Sequence, residues 1–173
     1  ANTLPIPKRE FFNSGSWSYL NNWEEVLKPF YDIAYKMLGA AQNPKLFAAD
    51  LAVKGIAKDM GKEAHFEPTK VAVYFGEAGK TINDPYFEGK GPNRTGCIHC
   101  GACMTGCRYN SKNTLDKNYL YLAQKLGAKI LAEKEVYNVS VINSKNGNDG
   151  YKVEFKSSIG KNQRGSLTTK GLI

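Results

Sequence analysis

All the cysteines of the chain lie within eleven residues, at Cys97, Cys100, Cys103 and Cys107. The gaps of two, two and three residues are those of the bacterial ferredoxin motif, in which closely spaced thiolates bind one iron–sulfur cluster. Gly96, Gly101 and Gly106 allow the backbone to turn tightly around a bound ion. The spacing therefore predicts that these four cysteines bind a metal or a cluster.

Zinc is the alternative occupant, because four thiolates satisfy its tetrahedral coordination and a Cys-x-x-Cys pair is a common half-site. In two-cluster ferredoxins the fourth cysteine binds the other cluster, and this chain has no second set. Cys107 must therefore fold back onto the same site, or another group must complete it. Arg108 also stands where ferredoxins usually carry a proline. The residues leave an iron–sulfur cluster, zinc, and metal-free thiols or disulfides open, and neither His65 nor His99 is predicted as a ligand.

Composition is typical of a soluble globular protein. The chain has 173 residues, 42% of them hydrophobic, and no apolar run approaches the roughly 20 residues needed to cross a bilayer. The formal charge of +8 would suit an anionic partner, but the lysines are spread along the chain, as on a solvated surface. Cysteines confined to one cluster differ from a secreted disulfide framework, which favours a reducing compartment and a cytoplasmic location.

The elements before the cysteines are predicted to be mainly helical. Apolar residues recur at helical spacing from Trp23 to Leu38, and Pro29 predicts a kink or a division into two helices. A second helix, AADLAVKGIAKDMG, would face its core with three residues, Leu51, Ile56 and Met60. The strand KVAVYF follows, and residues 76–96 are predicted to form a long loop that leads into the cysteines.

After the cysteines the pattern predicts one helix and then strands. The helix TLDKNYLYLAQKLG would begin at a cap on Asn113 or Thr114 and end at Gly127. Period-two alternation then predicts three strands joined by KNGNDG and IGKNQRG turns. The predicted fold class is α+β, with a helical first half, a long loop carrying the four cysteines, and then a helix and a three-stranded antiparallel β-meander.

The sequence around the cysteines also carries a family resemblance. The segment DPYFEGKGPNRTGCIHCGACMTGCRYNSKNTLDKNYL, followed by YLAQKLGAKILAEKEVYNV and a GNDGYKVEF strand, resembles the middle of the glucose-methanol-choline flavoprotein oxidoreductases. It is similar to the branch of that family near cholesterol oxidase. ANTLPIPKREFF resembles the segment after the family's second glycine-rich flavin motif, and WEEVLKPFYDIAYKMLG resembles its next helix. The resemblance covers essentially the whole chain.

This resemblance implies a FAD-dependent parent protein. Members of the family bind FAD in a Rossmann-like domain, and a second domain covers the flavin and shapes the substrate site. They oxidise an alcohol by passing hydride to the flavin, with a histidine near the carboxyl end as the usual base. The present chain lacks the Gly-x-Gly-x-x-Gly fingerprint and that catalytic region. It is thus expected to be an internal fragment with no catalytic residue of its own, inactive in isolation.

The resemblance also implies the fragment's partners and contacts. Its partners would be the remaining FAD-binding and catalytic parts of the parent, a small-molecule, sterol-like alcohol, and an electron acceptor. Val136 matches the position whose backbone meets the adenine of FAD, and Asn2 lies near the flavin-contacting turn. Residues 1–112 would form a substrate-side cap region with the cysteine loop, and residues 113–173 would belong to the FAD-domain side. Apolar surface that normally faces the FAD domain predicts self-association of the isolated chain.

A function of another class is open on the residues alone. The chain would then be a free-standing metal-binding or iron–sulfur module, acting in electron transfer or in nucleic-acid binding. A nucleic-acid partner is disfavoured, because the aromatic residues fall at helix and strand positions and no RNA-binding motif is present. A small ferredoxin is also a poor match, since one cluster motif sits between helices in a chain of this size.

Overall fold

The computed structural model describes residues 4–143, 146–160 and 163–173. It confirms the α+β fold class, with helices in the first half of the chain and a three-stranded antiparallel sheet at its end. Two compact units can be distinguished, residues 1–127 and residues 128–173, and each is described by itself. The predicted boundary between residues 112 and 113 concerned roles in a parent protein, and it stays a prediction.

The first unit begins with three helices, α1 (Arg9–Phe12), α2 (Trp23–Leu38) and α3 (Ala48–Asp59). Helix α2 runs through Pro29 without interruption, so the predicted division into two helices does not occur. It ends as predicted at Gly39, whose left-handed backbone donates its N–H to carbonyls of the last turn. No helix among residues 4–143, 146–160 and 163–173 is long and apolar enough to cross a membrane.

Helix α3 corrects the prediction about its inward face. Leu51, Ile56 and Met60 are each more than half exposed. Among the residues that the structure describes, the first unit supplies no layer that covers these side chains. The apolar core of this unit is small, and its fully buried hydrophobic residues are Phe12, Val71, Ala72 and Val73.

The strand predicted at residues 70–75 is the central scaffold of the first unit. Its regular part, β2 (Lys70–Ala72), pairs antiparallel with β1 (Ala40–Gln42), a strand that the sequence patterns did not predict. The chain continues in extended form, and Val73 makes an antiparallel bridge to Lys112. One edge of this segment therefore holds the chain after α2, and the other holds the chain after the cysteines.

The segment predicted as a long loop is ordered by a hairpin and by one carboxylate. Strands β3 (Thr81–Ile82) and β4 (Arg94–Thr95) pair antiparallel at its two ends. Between them, the Asp84 carboxylate accepts hydrogen bonds from four backbone N–H groups, at Tyr86, Phe87, Gly89 and Gly91, over 2.8–3.1 Å. These four hydrogen bonds to Asp84 thus stabilise a polar segment that has little apolar packing.

Asp84→Asn should therefore loosen the segment with almost no change in shape. One of the two oxygens becomes an NH₂ group, which cannot accept from the backbone donors around it. Hydrogen bonds to charged groups contribute about 1.5–3 kcal/mol, so a loss in this range is expected in the free energy of unfolding. Urea denaturation measures it, with Glu88→Gln as the control, because Glu88 is an exposed carboxylate of the same segment. Equal stabilities of the two variants would contradict the role of Asp84.

The helix after the cysteines begins later than predicted. A 3₁₀ turn spans Leu115–Lys117, and the helix α4 covers Tyr119–Lys125. Thr114 is the cap residue of the 3₁₀ turn, without a side-chain hydrogen bond to its backbone, whereas the cap of α4 is the buried Asn118, whose side-chain oxygen accepts from the N–H of Tyr119 at 2.6 Å. Asn113 has a different task, described below.

The second unit is the predicted three-stranded antiparallel meander. Its strands β5 (Lys134–Val141), β6 (Tyr151–Ser157) and β7 (Arg164–Thr169) pair in the order β5-β6-β7. A register shift between Val136 and Asn138 interrupts the pairing of β5 with β6. The predicted KNGNDG turn includes residue 145 and the predicted IGKNQRG turn includes residues 161–162, which lie outside the described residues.

Candidate functional site: the cysteine cavity

The four cysteines come together around one cavity of about 270 Å³. We call this space the cysteine cavity; besides the cysteines, its wall includes Phe75, His99, Tyr109, Ser111 and Lys112. All four cysteines are free, and only Cys100 is exposed, the other three being half-buried. The geometry thus gathers the predicted ligands without joining them in disulfides.

Both ends of the cysteine loop are held by the extended segment that contains β2. The N–H of Cys97 donates to the Tyr74 carbonyl at 3.0 Å, and the N–H of Tyr74 donates to the Ser111 carbonyl at 2.8 Å. Tyr74, in the extended chain after β2, therefore connects the first cysteine with the segment that follows the last one. At the same end, a side chain on Gly96 would collide with the Glu77 carbonyl, so this glycine allows the loop to enter.

Two sulfurs accept backbone hydrogen bonds. The N–H of His99 donates to Cys97 Sγ and the N–H of Ser111 donates to Cys107 Sγ, both at 3.3 Å. The ring of His99 stacks on Phe75 at the cavity wall, with ring centroids 5.6 Å apart. Burial, and to a smaller extent the positive charge of Lys45, lower the pKa of His99, which favours its neutral form. The cavity wall thus contains two backbone N–H donors to sulfur and the stacked rings of His99 and Phe75.

The environment of Cys107 favours its thiolate. Burial raises the pKa of its thiol, but hydrogen bonds from the backbone of Lys112, Ser111 and Tyr109 outweigh burial, so the pKa lies below its ordinary value. The buried side chain of Ser111 also lines the cavity, and a hydrogen bond from it is a further, smaller cause of the lowered pKa of Cys107.

The lowered pKa predicts that Cys107 of the metal-free chain reacts at a lower pH than an ordinary cysteine. A thiol with a depressed pKa is deprotonated at lower pH, and only the thiolate is alkylated rapidly. As the pH is raised, the alkylation rate of Cys107 should therefore reach half of its maximum at a lower pH than that of the cysteine in a short unstructured reference peptide. Mass spectrometry of the peptide that contains Cys107 after iodoacetamide pulses measures its profile. A Cys107 midpoint at or above that of the reference peptide would contradict the prediction.

A buried arginine, Arg94, holds residues 110–113, two of which line the cavity. Arg94 is 1% exposed, and its guanidinium donates to the side-chain oxygens of Asn113 and Asn110 and to the Lys112 carbonyl. Asn113 in turn donates to the Leu38 carbonyl at the end of α2, at 3.0 Å. Arg94 and the two asparagines therefore fix the chain that carries Cys107 to the rest of the first unit.

The cysteine cavity has the side-chain chemistry of a thiolate site. Four thiols line it, and two of their sulfurs accept backbone N–H hydrogen bonds. In the described part of the chain, no three His, Cys, Asp or Glu side chains are arranged closely enough to hold a single metal ion. Metal binding by Cys97, Cys100, Cys103 and Cys107 therefore stays a prediction.

The two predicted flavin contacts lie elsewhere. Val136 is in β5, paired with Phe155, and its side chain is about half exposed. Asn2 lies outside the described residues. The assignment of both residues to FAD stays a prediction. Sequence reasoning missed Arg94, Asn113 and Ser111, because nothing in the local pattern marks an arginine or an asparagine that will be buried.

Known proteins resemble the chain at the level of sequence. It is 44% identical over 158 residues to a cholesterol oxidase of Acinetobacter baumannii, an alignment of 88% of this chain and 28% of the relative. It is 49% identical over 136 residues to a cholesterol oxidase of Mycobacterium tuberculosis, covering 76% of this chain and 24% of the relative. No family model matches the chain, and no solved structure matches it.

These identities extend over most of the chain and over a small part of each relative. The chain spans 24–28% of the length of the curated relatives that it matches. The resemblance to the cholesterol-oxidase branch is thereby confirmed. By this similarity the chain is homologous to one segment of proteins named cholesterol oxidase.

Proposed function

We propose that this chain is part of a FAD-dependent oxidoreductase of the glucose-methanol-choline type, which oxidises a sterol-like alcohol. The observation that carries this proposal is the 44–49% identity to proteins named cholesterol oxidase. FAD, when bound in the parent protein, supplies the acceptor for the hydride removed from the alcohol carbon. This chain would supply part of the wall around that chemistry rather than the reacting groups.

In this proposal the chain helps to position the substrate and FAD. The segment with the cysteines lies on the substrate-side cap, and the strand that contains Val136 approaches the adenine of FAD through its backbone. The sequence contains no dinucleotide fingerprint, so the isolated chain would neither hold FAD firmly nor turn over substrate. Catalysis would require the remaining FAD-binding and catalytic parts of the parent.

Flavin reduction in the parent protein tests this proposal. The full-length protein, purified with its flavin, is mixed with cholesterol without oxygen, and the visible absorption of the oxidised flavin is followed. Bleaching is expected with cholesterol and not with its 3-methyl ether, which lacks the reacting hydroxyl. The 173-residue chain alone should bind no stoichiometric FAD. A parent protein whose flavin no sterol reduces would refute the sterol-like substrate, and one without flavin would refute the oxidoreductase.

The exposed apolar face of α3 predicts association of the isolated chain. Val53, Ile56 and Met60 lie within about 60° of one another around the helix axis and are each 57–62% exposed, and uncovered apolar area favours contact with other protein surfaces. In the parent this face would be covered by other parts of the protein. Light scattering after gel filtration should give a mass above that of one 19.1 kDa chain, falling toward it for the variant with Ile56→Lys. A monomer at all concentrations would contradict this expectation.

A second proposal concerns the cysteine cavity, whose four converging cysteines favour it. We infer that they bind an iron–sulfur cluster or zinc. A cluster would relay electrons between the flavin and an external acceptor, which accords with its one-electron chemistry. Zinc would act as a structural clip between the cysteine loop and the helix that follows it. A free-standing electron-transfer module is the alternative function that the same cavity supports.

Protection from alkylation distinguishes bound cysteines from free ones. The native chain, purified without oxygen, is treated with iodoacetamide before and after removal of metal by a chelator at mildly acidic pH. Protection of all four cysteines that is lost after chelation is expected. Modification of all four without chelation would refute metal binding, and protection reversed only by a reductant would assign disulfides.

A further inference from the structure

A second cavity is formed by the chain from Gly106 to Lys117 and is lined mainly by polar and charged side chains. Its volume of about 540 Å³ is within the range of small-molecule sites. The charged members of its lining are Arg108, Lys112, Asp116 and Lys117. We call this space the basic cavity, because three cations and one carboxylate leave its lining with two positive charges.

The carboxylate of this lining is already paired with one of the three cations. Asp116 forms an ion pair with Lys117, with Oδ2 and Nζ 2.9 Å apart, and its other oxygen accepts from the Thr114 hydroxyl. Hydrogen bonds from Thr114 and then from Lys117 lower the pKa of Asp116, so this carboxylate stays charged. Among the residues that the structure describes, no carboxylate forms an ion pair with Arg108 or Lys112.

The two cations without a carboxylate differ in how they are held. Lys112 is half-buried, and its Nζ donates to the Cys103 carbonyl at 3.1 Å, which keeps the ammonium at the wall. Arg108 is exposed, and in the described part of the chain its side chain makes no hydrogen bond or ion pair. A guanidinium presents a planar fork of N–H donors that matches the oxygens of a phosphate. A held ammonium and an uncommitted guanidinium thus form a donor set for a phosphoryl group.

The wall that carries these cations is fixed from the interior. The buried Arg94 donates to Asn110 Oδ1 and to the Lys112 carbonyl, both at 2.7 Å. Asn110 in turn donates to the Asn93 carbonyl at 2.8 Å, and both Asn110 and Lys112 line the basic cavity. A wall that is ordered before binding lowers the entropy that a ligand must overcome.

We propose that the basic cavity binds the phosphoryl group of a small soluble molecule through Arg108 and Lys112. A phosphoryl group on an ester carries about −1.5 to −2 charges at neutral pH, which offsets the two positive charges of the lining. The guanidinium of Arg108 donates to two phosphoryl oxygens, and the ammonium of Lys112 stabilises the same charge from the wall. The phosphoryl group belongs to free phosphate or to a phosphate ester. This site depends neither on a metal at the cysteines nor on a sterol substrate.

Calorimetric titration of the 173-residue chain at low salt tests this site, with inorganic phosphate, adenosine monophosphate and adenosine as the probes. The first two should bind, and adenosine, which lacks the phosphoryl group, should not. Tighter binding of the monophosphate than of phosphate would support the site and assign an ester, whereas equal affinities would support it and assign free phosphate. No binding of either phosphate probe would overturn the proposal.

Charge variants separate this site from general attraction to a chain of charge +8. Arg108→Gln should weaken phosphate binding about tenfold, because it removes hydrogen bonds between charged groups, and Arg108→Lys should weaken it less. Lys58→Gln is the matched control, since it removes one exposed charge on α3, outside the basic cavity. Equal weakening by Arg108→Gln and Lys58→Gln would overturn the site. Lys112→Gln should also weaken binding, and it keeps the test open if Arg108→Gln does not fold. None of these results bears on metal content or on flavin reduction in the parent.

Discussion

Replacement of Asn113 by alanine is expected to lower the free energy of unfolding of the chain by about 3 kcal/mol or more. The side chain of Asn113 is 6% exposed and acts as a junction between three segments. Its oxygen accepts from Arg94, and its NH₂ group donates to the Leu38 carbonyl at 3.0 Å and to Tyr86 Oη at 3.1 Å. Alanine would remove one of the three acceptors of the buried guanidinium and would leave the Leu38 carbonyl at the end of α2 without its side-chain donor.

The cost arises mainly from those stranded groups rather than from the lost bonds. A buried donor or acceptor without a partner costs about 1–3 kcal/mol, and a charged donor costs more. Asn113→Asp keeps an acceptor for Arg94 and adds a counter-charge, so it should be less destabilised than Asn113→Ala at neutral pH. Urea denaturation measures both, with Asn13→Ala as the control on an exposed asparagine. If Asn113→Ala and Asn13→Ala changed the free energy of unfolding equally, the role of Asn113 as a junction between three segments would be refuted.

Replacement of any one cysteine by serine is expected to remove most of the bound metal. The four cysteines line the same cavity, and a site that uses all four thiolates loses a ligand with each substitution. Metal per chain should fall severalfold in Cys97→Ser, Cys100→Ser, Cys103→Ser and Cys107→Ser alike. Elemental analysis of the purified variants measures this.

Met104→Ala is the control for the cysteine variants. Met104 lies inside the motif, is 84% exposed and does not line the cysteine cavity, so its replacement should leave the metal content unchanged. If one cysteine variant keeps the full metal content, that residue is not a ligand. If all four variants keep it, the metal is bound elsewhere and the proposed site is wrong.

The regular elements followed from local patterns in the sequence. Apolar spacing predicted α2, the stop at Gly39 and the three-stranded meander, because period and capping are properties of neighbouring residues. The prediction for Leu51 and Ile56 was wrong, because a period gives the stripe of a helix but not the layer that covers it. Here that layer is absent from the first unit.

The candidate site could be predicted only in part, for the same physical reason. The cysteines are recognisable from their spacing, since all four ligands lie in one short segment. The burial of Arg94 depends on asparagines 16 and 19 residues later in the chain, and on a strand that binds both ends of the loop. Asp84 likewise resembles an ordinary loop aspartate until four N–H groups are folded around it.

The central claim about the cysteine cavity is our proposal that its four cysteines bind an iron–sulfur cluster or zinc. The most direct test is the analysis of iron, zinc and acid-labile sulfide in the chain purified without oxygen, together with its visible absorption spectrum. The proposal predicts either iron and sulfide in about equal amounts, with a broad absorption band that dithionite bleaches, or zinc at about one ion per chain. Neither metal, with four reactive thiols, would contradict it.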